Sequence, residues 1–263
     1  MSEIRVLIHC ALFFEAEIFI KNYNLKKDIS ISEFMFFYNH DSKIALITST
    51  KSLLAVGFSV GYIHAKYNFH NDIKFLNFGI AGSKNLALGS IKEIVKVTDY
   101  STSISYYPIY QNNPIFDIDT LISFAKPNDD YNLEGLYDME ASAFFESVSK
   151  ITDRENIRIL KIISDNKEQT LKNFDHNLMK KFITDKSEDL FNYVSILKSN
   201  IETTQPTLHF NNFTFSENKI INNLFNQLRS LNDNFDFDDI DISNYHELKK
   251  FLESEILKYK LSY

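Results

Sequence analysis

The sequence has little of what several protein classes require. Its 263 residues include one cysteine, Cys10, so no disulfide can form within the chain and no CxxC pair is available for zinc. This cysteine usage suits a reducing compartment and predicts a cytoplasmic protein. Tryptophan is absent and only 6 residues are glycine, so the backbone can approach a ligand closely at few places.

Long apolar runs and basic clusters are missing as well. No apolar stretch reaches the length of a membrane span, and the run from Val6 to Phe14 leads into Glu15 and Glu17 without a small-residue cleavage site. We therefore expect neither a membrane partner nor a signal peptide. A net charge of −7 and the lack of a dense Lys/Arg run argue against a nucleic-acid partner.

The sequence does contain an alternation of strand and helix patterns, which is typical of an α/β layered fold. Short apolar runs predict buried strands, and apolar residues at helical spacing predict helices. The predicted elements are a strand at 6–12, a hairpin at 34–48, a helix at 52–67, strands at 73–78 and 91–100, a helix at 139–149, a strand at 157–163 and one long helix at 174–197. Residues 101–135 contain three of the four prolines, and we expect them to be mostly irregular.

The character of the sequence changes near residue 200. The predicted elements beyond it are an edge strand at 207–215 and amphipathic helices at 219–231 and 245–260. An acidic run at 233–241 lacks the glycine and the terminal glutamate of an EF-hand loop, so we interpret it as a solvated linker. We therefore predict a main domain at 1–200 and a mostly helical C-terminal extension at 201–263, packed on that domain or following it.

One generic motif suggests a different class of enzyme. The segment Gly57-Phe58-Ser59-Val60-Gly61 matches the G-x-S-x-G nucleophile elbow of serine hydrolases, with His209 or His246 as the later histidine. However, the helical period runs straight through the motif and predicts a helix in which Ser59 packs against the sheet. The 7 histidines have no metal-ligand spacing, so we expect no metal site.

Several carboxylates stand where predicted elements begin or end. Glu15 follows the first strand, Asp165 follows the strand at 157–163, and Glu140 lies at the start of a predicted helix. A glycine turn at 79–82 follows another strand. Because ligands of open α/β sheets bind outside the carboxyl ends of the strands, we expect these groups to meet at one site.

Four segments make the sequence resemble the nucleoside phosphorylase and nucleosidase superfamily, in particular its methylthioadenosine/S-adenosylhomocysteine nucleosidases. They are Ala11–Ala16, Asn77–Ser83 with Leu88–Ile91, Asp138–Ala143 and Ile162–Asn166, in the family's order and approximate spacing. The similarity covers about residues 4–195. It implies a three-layer αβα sandwich with a central mixed sheet, a purine nucleoside as substrate, and no cofactor.

The resemblance also implies catalytic roles for two carboxylates. Glu15 matches the glutamate that orients and deprotonates the attacking water, and Asp165 matches the acid that protonates the purine leaving group. Cleavage of an N-glycosidic bond builds positive charge on the sugar and negative charge on the base. Two carboxyl groups on opposite sides of the bond suit that charge distribution, as they do in glycoside hydrolysis.

Binding roles follow from the same resemblance. Glu140 matches the glutamate that accepts hydrogen bonds from the ribose hydroxyls, and Met139 matches the methionine that packs on the sugar. Gly79, Ala81 and Gly82 occupy the glycine turn that contacts the substrate in the family.

The chain departs from the family pattern in two places. The family's glycine-rich turn after its second major strand is replaced by Thr48-Ser49-Thr50-Lys51-Ser52, which contains no glycine. The purine-binding segment should lie within residues 101–135, but no clear match is found there. Phe124 is the candidate for an aromatic that stacks on the base, with a buried core phenylalanine as the alternative interpretation.

The positions of the arginine and lysine residues predict whether water or phosphate accepts the ribosyl group. Phosphorylases of this superfamily hold phosphate with arginines near the glycine turns, whereas only Arg5 lies in the first thirty residues, and Lys51 and Lys84 are the nearest other cations. We therefore predict an N-ribosyl hydrolase of the methylthioadenosine/S-adenosylhomocysteine type. A purine nucleoside phosphorylase is the alternative, and the lost glycines leave open a non-catalytic nucleoside-binding protein.

We also expect a homodimer. The resemblance implies it, because nucleosidases of this type often complete the pocket with an aromatic residue of the neighbouring subunit. The sequence contains 24 phenylalanines and 14 tyrosines, and aromatic residues are enriched at interfaces. The segment Tyr100–Phe116, with Tyr106, Tyr107 and Tyr110, is the candidate contact.

Overall fold

The computed structural model describes residues 4–50, 52–69, 73–108, 115–199, 210, 212–231 and 244–261. The chain divides into two compact units, Met1–Thr204 and Gln205–Tyr263. The predicted boundary between residues 200 and 201, the acidic run at 233–241 and His209 lie outside the described residues. No helix in the described ranges is long and apolar enough to cross a membrane.

The first unit alternates strands and helices, as the sequence pattern predicts. Its strands are β1 (Val6–Cys10), β2 (Lys26–Lys27), β3 (Met35–Asn39), β4 (Ile44–Thr48), β5 (Lys74–Ser83), β6 (Ile91–Asp99), β7 (Ser105–Tyr106), β8 (Ile118–Ser123), β9 (Leu136–Asp138) and β10 (Ile157–Asp165). Its helices are α1 (Phe13–Asn22), α2 (Leu53–Tyr67), α3 (Ala141–Val148), α4 (His176–Asp185) and α5 (Ser187–Ser199).

The strands form one mixed sheet of ten strands, in the order β10-β6-β8-β9-β5-β1-β4-β3-β2, with β7 paired to β6. Strand β5 is central, because it pairs in parallel with both β1 and β10. Its last two residues, Gly82 and Ser83, also pair antiparallel with β9. Strands β5, β10, β6, β8 and β9 therefore close into a ring, and the carboxyl ends of β1, β5 and β10 lie side by side.

Alternate residues of β1 belong to two separate core clusters. Leu7 lies in one cluster with Val60 of α2 and Phe144 of α3. Ile8 lies in the other cluster with Phe19 of α1 and Val194 of α5. Because successive side chains of a strand point to opposite faces, each cluster packs on its own face of the sheet. The continuous apolar run of β1 in the sequence reflects burial on both sides.

Several sequence predictions are confirmed and several are wrong. The hairpin is formed by β3 and β4, which pair antiparallel from Met35 with Thr48 to Asn39 with Ile44. The expected glycine turn is wrong, because β5 continues through it to Ser83. A carboxylate lies so close to Gly79 and Gly82 that a side chain at either position would crowd it, which gives these glycines a packing role within a strand.

One further prediction fails for an identifiable reason. The single helix predicted at 174–197 is two helices, α4 and α5, with Lys186 between them at φ −101° and ψ 9°. The apolar spacing continues across this break, so periodicity could not reveal it. Among their described residues, residues 101–135 contain only the short strands β7 and β8, which confirms that this region is mostly irregular. Strand β8 has several exposed positions, and its apolar pattern is correspondingly weak.

The second unit contains α6 (Phe215–Leu231) and α7 (Tyr245–Leu261). Both helices contribute to a small apolar core that includes Ile221, Leu228, Leu248 and Leu252. Of the edge strand predicted at 207–215, residues 207–209 and 211 lie outside the described residues, and residue 215 begins α6.

Candidate active site

A cavity opens at the carboxyl ends of β1, β5 and β10. The space between its walls, counted with the solvent at its mouth, is about 570 Å³. Its lining comes from six segments of the chain that are distant in sequence. The lining residues are Ala11, Leu12, Glu15, Ile80, Ala81, Gly82, Pro127, Asn128, Tyr137, Asp138, Met139, Glu140, Ser164, Asp165 and Leu171. The cavity thus includes six of the eight predicted site residues.

Glu15 lies in the first turn of α1 and is almost completely buried. Its Oε2 accepts the backbone N–H of Leu12 at 2.8 Å, and its Oε1 accepts that of Ile80 at 3.0 Å. An added Cβ on Gly79 would lie 3.2 Å from Oε1, so Gly79 supports Glu15 although it does not line the cavity. Burial raises the pKa of Glu15 against the opposing effect of these hydrogen bonds.

Asp165 is the last residue of β10, where a bulge interrupts the pairing with β5. The hydroxyl of Tyr131 donates to its Oδ2 at 2.6 Å. The Ser164 hydroxyl lies within hydrogen-bond distance of both Asp165 Oδ1 and the Ala81 carbonyl oxygen. An added Cβ on Gly82 would lie 2.7 Å from Asp165 Oδ2, so this strand position must remain glycine for Asp165 to keep its orientation.

Met139 and Glu140 connect β9 to α3, which places both on the cavity wall. Met139 is partly exposed and Glu140 is buried, with 7% of its surface accessible. Burial and the negative charge of Asp138 raise the pKa of Glu140 to about 7. The carboxyl group is therefore balanced between its neutral and charged forms near neutral pH, so a ligand that donates hydrogen bonds to it can favour the charged form.

The structure adds a buried ion pair that sequence reasoning missed. Lys161 Nζ lies 2.8 Å from Asp138 Oδ2, and both side chains are inaccessible to solvent. Burial opposes the charge on Lys161, but Asp138, Glu140 and Glu15 outweigh burial and raise the pKa of the lysine. A signal for this pair was present in the sequence, since Lys161 interrupts the apolar run from Ile159 to Ile163 and Asp138 directly precedes Met139.

Phe124 is not among the residues that line the cavity. It belongs to a buried aromatic cluster, with its ring centroid 5.9 Å from that of Tyr137 and 4.6 Å from that of Tyr100. Near Phe124 in the sequence, the residues that do line the cavity are Pro127, Asn128 and Tyr137. The placement matches the alternative interpretation of Phe124 as a core residue.

The other motifs of the sequence lie away from the cavity. Ser59 is buried inside α2, where its hydroxyl donates to the carbonyl oxygen of Val56, so the segment is a helix and not a strand-to-helix elbow. His9 is enclosed between Ser49 and Asn77, at 2.8 and 3.0 Å. Burial and the charge of Lys161 lower the pKa of His9 to about 3, which keeps it neutral. Both residues are parts of the packed interior.

Comparison with solved structures identifies the class of fold. No protein-family model matches the chain, and no curated protein matches it in sequence. Solved structures of methylthioadenosine/S-adenosylhomocysteine nucleosidases match most of the chain. The chain therefore has the mixed α/β fold of these enzymes, as the resemblance of its four segments implied.

Three of these structures give the extent of the similarity. The Helicobacter pylori nucleosidase, solved with butyl-thio-DADMe-Immucillin-A, matches with a TM-score of 0.60 and 14% identity, over 73% of this chain and 97% of that one. The Campylobacter jejuni nucleosidase matches with a TM-score of 0.59 and 14% identity, over 75% and 99%. A Chlamydia trachomatis nucleosidase variant bound to MTA matches with a TM-score of 0.55 and 17% identity, over 73% and 98%. At these identities the likeness establishes the fold alone.

Proposed function

We propose that the protein is an N-ribosyl hydrolase that cleaves the N-glycosidic bond of a purine nucleoside of the methylthioadenosine/S-adenosylhomocysteine type. The observation that carries the proposal is the convergence of Glu15, Glu140 and Asp165 on one cavity. These three carboxylates come from elements that are far apart in sequence. The nucleosidase fold supports the proposal, since the matching structures carry that activity in their names.

The proposed reaction is an acid-assisted attack of water on the sugar. Asp165 gives its proton to a nitrogen of the purine as the bond between that base and C1′ of the ribose breaks, and the bond's electron pair stays with the base. Water adds to C1′ and its proton passes to Glu15. The raised pKa of Glu15 suits a general base, because a base that binds its proton more tightly removes one from water more readily.

The two sugar-binding roles suit their positions. Glu140 accepts hydrogen bonds from the ribose hydroxyls, and these donors stabilise its charged form when substrate binds. Met139 packs on the sugar from the same segment of the wall. The negative charge that collects around the sugar favours the transition state, in which the sugar becomes cationic.

The charges of the cavity favour water over phosphate as the acceptor. Its lining includes the acidic residues Glu15, Glu140 and Asp165, together with Asp138, whose carboxylate pairs with Lys161, and no lysine or arginine among the described residues. A phosphate dianion in this wall would be repelled and would lack the cationic donors that it requires. Lys84 forms an ion pair with Glu134 at the surface, and Lys51 lies outside the described residues.

Product analysis with a panel of purine nucleosides, with and without phosphate, tests the proposal. We expect free base and free sugar from methylthioadenosine or S-adenosylhomocysteine in phosphate-free buffer. Base release that requires phosphate would indicate a phosphorylase. Nucleoside binding measured by calorimetry without any base release would indicate a non-catalytic binding protein.

The remaining sequence predictions stay part of this proposal. We propose a three-layer αβα arrangement, for which the two core clusters on opposite faces of the sheet are the support. The proposed cytoplasmic location rests on the cysteine usage, and the proposed domains at 1–200 and 201–263 rest on the change in sequence character.

A homodimer is also proposed. Within the candidate contact, Tyr100 and Tyr107 are more than half exposed, whereas Tyr106 packs on Phe145 and Tyr110 lies outside the described residues. Light scattering at micromolar concentration tests the assembly. A mass near twice 30.7 kDa supports the dimer, and a mass near 30.7 kDa contradicts it.

A further inference from the structure

The hydroxyl of Tyr131 lies between the backbone of one loop and the carboxylate of Asp165. It accepts the backbone N–H of Leu171 at 3.0 Å and donates to Asp165 Oδ2 at 2.6 Å. Because the hydroxyl accepts from an N–H, its own proton points towards the carboxylate. Burial and the hydrogen bond to Asp165 raise the pKa of Tyr131, which keeps the phenol a proton donor across the physiological range.

The backbone of Tyr131 is also unusual. Its φ of +49° lies in the left-handed region, which an aromatic residue seldom adopts. Such a conformation costs free energy and persists where the surrounding contacts fix it, often at functional sites. Here the side chain is 2% exposed and its ring packs near that of Tyr137. The left-handed residue places the phenol beside Asp165, which lines the cavity.

Asp165 is thereby held from three sides. Tyr131 donates to Oδ2, the Ser164 hydroxyl lies beside Oδ1, and the missing side chain of Gly82 leaves just enough room for the carboxylate. Leu171, whose N–H fixes the Tyr131 hydroxyl, itself lines the cavity. The Tyr131 hydroxyl therefore joins the loop before β9 to the loop after β10 and also binds Asp165, the residue that the proposed reaction uses as its acid.

Resting on the role proposed above for Asp165, we propose that Tyr131 is a positioning residue that fixes the general acid and stabilises the carboxylate left after proton transfer. The proton moves from Asp165 to the leaving base, the electrons of the broken bond remain on the base, and Tyr131 keeps its own proton. The negative charge that appears on Asp165 then meets an O–H donor that is already aimed at it. Such preorganised donors lower the free energy of a transition state in which the charge is developing.

Replacement of Tyr131 by phenylalanine tests the proposal, since it keeps the ring and removes both hydrogen bonds. We expect turnover of a purine nucleoside to fall on the order of 10-fold to 100-fold, with little change in KM. The pH–rate profile should change together with the rate, because the lost hydrogen bond acts on the group that supplies the proton. The other charged groups near Asp165 or Tyr131 are Glu15, Asp138, Glu140, Lys161 and Asp129, and the variant leaves all of them in place.

A substrate with a leaving group that needs no proton separates positioning of the acid from general damage. p-Nitrophenyl riboside releases a stable phenolate, so its hydrolysis gains little from an acid. Asp165→Asn and Tyr131→Phe should both cleave it at rates within about threefold of the wild type. Equal losses of Tyr131→Phe on both substrates would make Tyr131 a structural residue and overturn the proposal.

Tyr193→Phe is the matched control. Tyr193 is another buried tyrosine whose hydroxyl donates to a carboxylate, that of Glu93, but neither residue lines the cavity. It should match Tyr131→Phe in thermal stability while keeping the rate and pH profile of the wild type. If Asp165→Asn loses turnover and Tyr131→Phe retains the rate and pH profile of the wild type, the role of Tyr131 is wrong and the proposed function stands. If the wild type releases no base, or Asp165→Asn retains full turnover, the role of Asp165 fails.

Discussion

Strand β10 carries two buried cations, and their surroundings differ. Arg158, near the start of the strand, lies 3.8 Å from Glu93, which also accepts the hydroxyl of Tyr193. Lys161, towards the end, pairs with Asp138 beside the cavity. We call these the Arg158 cluster and the Lys161 cluster. Both bury ionised groups in the same wholly buried strand.

The difference lies in the balance of charge. In the Arg158 cluster one cation faces one carboxylate, and neither residue lines the cavity. In the Lys161 cluster one cation interacts with the negative charges of three residues, Asp138, Glu140 and Glu15. A surplus of buried negative charge is unfavourable for stability, which makes it informative about function. From this difference we propose that the carboxylates of the Lys161 cluster bind a ligand, whereas the Arg158 cluster stabilises the fold.

The largest expected effect is the loss of turnover when Asp165, which lines the cavity, is replaced. Asp165→Asn should lower turnover of a nucleoside about 10²-fold to 10⁴-fold, because the amide cannot deliver a proton to the leaving base. The fold and nucleoside binding should persist, as measured by circular dichroism and calorimetry. A variant with turnover within threefold of the wild type would remove Asp165 from the role of acid.

The next effect concerns the Arg158 cluster. Glu93→Gln leaves a buried guanidinium without its carboxylate and should lower the free energy of unfolding by about 3 kcal/mol. Turnover should stay unchanged, since Glu93 does not line the cavity. Urea unfolding monitored by fluorescence measures the change. A stable Glu93→Gln variant with impaired turnover would reverse the assignment of the two clusters.

Glu140→Gln should have the opposite effect on stability, and the effect should depend on pH. The folded-state pKa of about 7 lies above the ordinary glutamate value of 4.5, so the stability that Glu140 contributes at low pH is lost as the pH rises to about 7. The neutral amide avoids this loss. We expect the variant to be more stable than the wild type by about 3 kcal/mol at pH 8, with no difference near pH 4. Thermal unfolding of the variant and the wild type at both pH values measures this difference. Equal stability of the two proteins at pH 8 would contradict the prediction.

The same variant should also bind nucleosides more weakly than the wild type. A charged carboxylate accepts two hydroxyl hydrogen bonds that an amide matches poorly, worth about 1.5–3 kcal/mol. Glu140→Gln should therefore bind nucleosides more weakly while its affinity for the free base stays the same. Calorimetry with adenosine and adenine provides the comparison, and equal losses for both ligands would make Glu140 structural.

The smallest effect is expected at Ser59. Its hydroxyl donates to Val56 within α2, and its loss should leave hydrolysis unchanged. A folded Ser59→Ala protein without activity would contradict this placement and revive the nucleophile-elbow interpretation.

Local sequence signals predicted a large part of the fold and the site. Glu15, Glu140 and Asp165 were predictable because each stands beside an apolar run or helix start that the sequence marks clearly. Parallel strands bring their carboxyl ends to one edge, so three separate signals pointed to one cavity. The segments that carried the resemblance are the same segments that form this edge.

What the sequence did not predict depends on contacts between distant residues. The ring closure requires β5 to pair with both β9 and β10, which no local pattern specifies. The hydrogen bond from Tyr131 to Asp165 joins residues 34 positions apart and depends on a left-handed backbone that propensity disfavours. The sequence could not decide between the two interpretations of Phe124, because a buried aromatic and a stacking aromatic have the same local sequence signature.

The most direct test of the central claim measures how the cavity responds to a positive charge on the sugar. If Glu15 and Glu140 face a ribose that becomes cationic while Asp165 faces the base, a purine nucleoside analogue with a protonated pyrrolidine in place of the ribose should resemble the transition state. Calorimetry should then find it bound at least 10²-fold more tightly than the neutral nucleoside. Equal affinity for the cationic and the neutral ligand would contradict the claim that these carboxylates are arranged for hydrolysis.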